Sequence, residues 1–126
     1  MIHSHAVMNT PLDLYKAFVA GLVSIRDGVL AKWTRDNKWP AVEKNHAITE
    51  LLSSLSCEQR EVIAGMLEHA RDGGIHDTLV FLNDQTCLNE LKLIQNGQEL
   101  PVNPFDTTLY YDWTCRVHGD AWPDEE

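Results

Sequence analysis

Apolar residues recur every three or four positions after Thr10, where Tyr15, Phe18, Leu22, Ile25 and Val29 form one stripe that Val19 and Leu30 widen. This spacing predicts an amphipathic helix from residue 10 to about residue 36. Thr10 can cap it, Pro11 suits the first helical position, and Asp13 favours the positive end of the helix dipole. The helix should fail near Asp36-Asn37, ahead of Trp39-Pro40, because the residue before a proline avoids helical dihedrals. A second helix is expected from Pro40 to about Leu55, burying Val42, Ile48, Leu51, Leu52 and Leu55. Ser56-Cys57-Glu58-Gln59 reads as the capping box of a third. Its inward face would be Val62, Ile63, Met66, Leu67 and Ala70, and Gly73-Gly74 its stop. A short fourth helix fits His76 to Asn83, with Leu79, Val80 and Leu82 apolar.

After Asp84 the pattern changes. Two short apolar runs flank Asn96-Gly97, the preferred pair for a type I′ turn, and so predict a β-hairpin near residues 91–100. The competing reading extends a helix through Leu88, Leu91 and Ile94 and ends it at Gly97. Thr107 to Val117 reads as the last helix, docked by Tyr110, Trp113 and Val117, with Asp112 and Arg116 paired four apart. The expected fold class is therefore mostly α, a compact bundle of four or five helices with a small β-hairpin. At 126 residues the chain fits a single helical domain over 10–126, after a flexible extension over 1–9 in which Met8 offers an alternative start.

Charge adds a sharper feature. Residues 1–63 hold seven Lys/Arg against seven Asp/Glu, while residues 64–126 hold three against twelve, so the net charge of −9 lies entirely in the second half. An acidic half repels nucleic acid and anionic lipid and attracts a cationic partner. Arg26, Lys32, Arg35 and Lys38 come nearest to a basic patch but are broken by Asp27 and Asp36, which sets nucleic acid aside. The apolar stretch Ala17 to Val23 is too short to span a bilayer, and the first ten residues lack the features of a secretory leader. Three widely spaced cysteines, Cys57, Cys87 and Cys115, point to free thiols and a cytoplasmic setting.

Two constellations carry candidate chemistry. His76-Asp77 resembles the metal-binding His-Asp pair of the HD-type phosphohydrolases, and the resemblance covers these two adjacent residues. It implies His46 upstream and Asp84 or Asp112 downstream as further ligands of a divalent metal that activates water. In the plainer reading Asp77 is a first-turn acid and His76 a surface or capping residue, so no metal, cofactor or catalytic residue is assigned. The second constellation runs from Phe105 to Glu126. It holds five of the ten aromatics (Phe105, Tyr110, Tyr111, Trp113 and Trp122) among six acids. Aromatic anchors with acids around them suit the capture of a basic protein. Tyr111, Asp120, Trp122, Asp124 and Glu125 form the expected contact set. The expected function is that of a small acidic, non-enzymatic interaction protein of inhibitor or immunity type. The alternatives are a metal-dependent hydrolase using His46, His76, Asp77 and Asp112, and a structural domain that homo-oligomerises through the aromatic segment.

Overall fold

Thr10 caps the first helix, its hydroxyl accepting the Asp13 N–H at 3.0 Å, and Pro11 follows as the first helical residue. A computed structural model describes residues 10–125, so the extension expected over 1–9 lies outside the described residues. Helix α1 covers Pro11–Ser24, α2 Val29–Asp36, α3 His46–Ser53, α4 Cys57–Leu88 and α5 Leu109–Val117. Single 3₁₀ turns stand at Glu43–Asn45 and Pro123–Glu125, and β1 (Ile94–Gln95) pairs antiparallel with β2 (Gln98–Glu99). The fold class is mostly α, with five α-helices and one small hairpin among the described residues.

Three helix boundaries differ from the sequence expectation, each for a local reason. The first apolar stripe continues past residue 24, but the helix does not. The Ser24 hydroxyl donates to the Gly21 carbonyl at 2.7 Å, and Gly28 turns extended (φ −107°, ψ 152°) to start α2. The helix expected from Pro40 begins only at His46. Buried Asn45 reaches back to the Pro40 carbonyl at 3.0 Å and fixes an intervening turn. Val42 and Leu51, expected inside, are consequently exposed. The largest difference is at Gly73-Gly74, where α4 runs straight on and absorbs the short helix expected at His76 to Asn83. A glycine ends a helix by taking positive φ, and neither of these two does. With nothing within 4 Å of a Cβ added at Gly73, Gly73→Ala should raise stability by about 1 kcal/mol. Urea unfolding checks this, and a loss of stability would restore the helix stop.

Other local signals hold. Ser56 and Gln59 form the reciprocal capping box, at 3.1 and 2.9 Å. Asn37 ends α2 in the left-handed region (φ 55°). Asn96 and Gly97 both take positive φ (52° and 75°), as a type I′ turn requires. Gly119 (φ 85°) closes α5 in a Schellman motif, the Asp120 N–H donating to the Cys115 carbonyl at 3.0 Å and the Gly119 N–H to Arg116 at 3.0 Å.

The chain divides into two packing units, one joining Met1–Ile25 to Ile75–Glu126 and the other formed by Arg26–Gly74. In the first, Leu14, Tyr15, Val19, Leu79, Leu100, Leu109, Trp113 and Trp122 make a continuous core. Two of its buried polar groups find partners within the unit. The Trp113 indole N–H donates to the Leu22 carbonyl at 3.0 Å, and the buried Asn83 side chain accepts the Leu109 N–H at 3.0 Å. A lone hairpin is marginal in water, and here the burial of Leu100, with Leu93 partly covered, ties it to that core.

The second unit is built on smaller contacts, with Ala31, Thr34, Leu52 and Ala64 buried. The Thr34 hydroxyl donates to the Leu30 carbonyl at 2.8 Å and accepts the Trp39 indole N–H at 3.0 Å. Two of its arginines hold carboxylates in forks. Arg26 holds Asp72 at 2.8 and 2.9 Å, and Arg35 bridges Glu61 and Glu68 at 2.9 Å. These guanidinium hydrogen bonds keep the Asp72, Glu61 and Glu68 carboxyls below the usual carboxylate range.

Candidate functional site

The charge split of the sequence falls on the packing units. Met1–Ile25 with Ile75–Glu126 carries three Lys/Arg against eleven Asp/Glu, net −8, whereas Arg26–Gly74 carries seven against eight, net −1. What the acidic unit can do depends on which of its carboxylates the fold already uses.

Asp112 is the one that the fold uses most. It is 2 % exposed and accepts hydrogen bonds from the Tyr15 hydroxyl and the Thr107 hydroxyl. Burial, and then the hydrogen bond and charge of Asp112, push the Tyr15 phenol far above the ordinary tyrosine range. The expected pairing of Asp112 with Arg116 gives way to this arrangement. Arg116 instead lies over the Trp122 ring at 4.0 Å, with Nε and Nη1 buried and without hydrogen-bond partners.

Trp122 is 8 % exposed. It meets the edge of Tyr15 at 5.9 Å and the tilted ring of Phe105 at 5.5 Å. Beyond it, Asp124 and Glu125 clasp the Lys16 ammonium at 2.9 and 2.7 Å. Burial alone would lower the Lys16 pKa, but the hydrogen bonds to Glu125 and Asp124 outweigh it and raise it. Three of the five residues expected to contact a partner thus hold the C-terminal segment against its own unit. Tyr111 and Asp120 remain exposed on and just beyond α5.

The residues of the metal alternative are not assembled. His76 stands edge-on to Tyr110 at 5.4 Å and 3.5 Å from Asp77, while His46 lies 3.9 Å from Glu50 and Asp112 is enclosed by its hydroxyl donors. Among the described residues no group of three or more His, Cys, Asp or Glu side chains is placed to hold a metal ion. Nor is any helix among them long and apolar enough to cross a membrane.

Two hollows remain. One of about 320 Å³ in the Arg26–Gly74 unit has an apolar floor of Leu30, Ala31, Leu67 and Ala70, while Arg26 and Glu68 at its edge are committed to Asp72 and Arg35. The other, an open surface of about 460 Å³, lies over His76, Thr108, Tyr110, Tyr111 and Thr114. The carboxylates left on the acidic unit's surface include Asp84, Glu90, Asp106 and Asp120, all exposed.

Fold and site together define a small, mostly helical protein with its charge on one unit. The chain belongs to the family of unknown function DUF6547, whose model matches residues 8–124. No curated protein and no solved structure matches it.

Proposed function

We propose that this protein works by binding, as an acidic, non-enzymatic interaction protein of inhibitor or immunity type that captures a basic protein in the cytoplasm. The observation that carries this reading is the net charge of −8 gathered on one packing unit while the other is nearly balanced. Such a surface raises the local concentration of a cationic partner and speeds its approach. The deeply buried carboxylate of Asp112 supports binding over catalysis, because each of its oxygens is engaged by a hydroxyl of the core, from Tyr15 and Thr107. Free thiols at Cys57, Cys87 and Cys115 suit a reducing compartment.

The test is affinity capture on the immobilised whole chain at about 50 mM and about 500 mM salt, a range over which screening shortens the reach of charge several-fold. Retained proteins should be basic and should leave the column as salt rises. Recovery of the chain's own copies alone, or of a partner whose retention ignores salt, would contradict the reading and favour self-association.

A further inference from the structure

Asp77, Phe81, Asp84 and Leu88 follow one another along α4 at intervals of four, three and four residues, which places them on a single helix face. Phe81 is 65 % exposed and Leu88 75 %, whereas Leu79 on the opposite side of the same turn is buried in the core. Leaving a phenylalanine and a leucine in water forgoes burial that each would gain against a partner. Between and beside these two anchors stand carboxylates with little to do inside the fold. Asp84 is exposed, and Asp77 stands 3.5 Å from its neighbour His76 with 86 % of its side chain in solvent.

We propose that this face of α4 is the docking surface for a cationic amphipathic helix of the partner protein. The inference rests on the binding reading above and says where, and against what element, that binding occurs. The three-and-four spacing is that of ridges which interdigitate with another helix, so Phe81 and Leu88 would seat in an apolar stripe. Lysines or arginines beside that stripe would meet Asp77 and Asp84. A second copy of this chain fits badly, since it would bring two −8 units and four carboxylates into one contact. Charge complementarity therefore selects a basic occupant, and the helical spacing selects its conformation.

The experiment uses the full chain, isotope-labelled for NMR, and two synthetic peptides of identical composition. One is patterned as a helix with a leucine stripe flanked by lysines, and the other is a scrambled order of the same residues. The patterned peptide should shift backbone signals over residues 77–88 and bind at least tenfold more tightly than the scrambled one. Phe81→Ala should weaken it by about tenfold or more, as loss of a central aromatic anchor does. Phe81→Leu should recover much of the affinity. Because Phe81 is exposed, both variants should melt close to the wild type, which separates a binding effect from a folding one. If the patterned peptide binds but the shifts lie elsewhere, or Phe81→Ala changes nothing, the docking face is overturned and the binding reading stands. Equal binding of the two peptides also overturns the face, leaving a surface that attracts charge without selecting a helix. If neither peptide binds even at low salt, the binding reading itself falls.

Discussion

Trp122→Ala should destabilise the protein by about 3–4 kcal/mol, the range for removing a large aromatic from a packed interior. The side chain is almost fully covered and touches α1 through Tyr15 and the 105 region through Phe105. It also offers its face to the buried Arg116 guanidinium. Its removal opens a void and strips that cation of its aromatic partner. Trp122→Phe keeps part of the ring stack and should cost less than half as much. Chemical unfolding followed by circular dichroism reads both values. An alanine variant within about 0.5 kcal/mol of wild type, as for ordinary surface positions, would mean that Trp122 is a presented anchor and not a strut of the core.

The second large effect is expected at Asp112. Asp112→Ala should cost about 3 kcal/mol, because the Tyr15 and Thr107 hydroxyls lose their shared charged acceptor where water cannot readily replace it. Tyr15→Phe removes the donor as well as its need for a partner, and should cost less. The pair also has a pH signature. The Tyr15 pKa is raised in the folded state above the ordinary value of 10.0, so its stabilising contribution is whole below that pH. It is lost as pH climbs beyond, since the unfolded chain then releases a proton that the folded one retains. The stability gap between wild type and Tyr15→Phe should therefore narrow between about pH 9 and about pH 11, near and above the tyrosine pKa. A gap that stays constant would contradict the burial of this phenol against a carboxylate.

Signals confined to a few adjacent residues were legible in the sequence. The Ser56/Gln59 box, the Thr10-Pro11 start and the Asn96-Gly97 turn each depend on backbone groups within one turn of the chain, and each forms as read. Gly73-Gly74 was misleading, because a glycine pair only weakens a helix unless the following backbone also folds back to cap it. In α4 it does not, and intrinsic propensity yields to the longer helix. Buried faces were harder still. Val62 and Met66 carry the right periodicity yet are each 65 % exposed, since periodicity reports a face and not what covers it.

The candidate site was legible in charge and not in placement. The acidic half became an acidic unit because Arg26–Gly74 holds most of the bases with nearly matching acids. Asp112 looked like a helix-surface partner for Arg116, four residues on. Its real donors, Tyr15 and Thr107, lie on other segments, and no local pattern announces them. Trp122 packs into an aromatic cluster, while Asp124 and Glu125 stay exposed and pair with a lysine on α1, contacts that no local pattern in the sequence announces. Phe81 does not stand out in the sequence, because the short helix expected around it assigns its apolar face to Leu79, Val80 and Leu82. The spacing from Asp77 to Leu88 was the signal available.

The central claim is that the acidic unit recruits a cationic partner, and the direct measurement is the association rate of the isolated partner as a function of salt. Stopped-flow mixing from about 50 mM to about 500 mM salt should lower the on-rate by about tenfold or more while the off-rate changes far less. Replacing Asp77 and Asp84 together by asparagine should flatten that dependence. An on-rate indifferent to both salt and these two carboxylates would contradict the account.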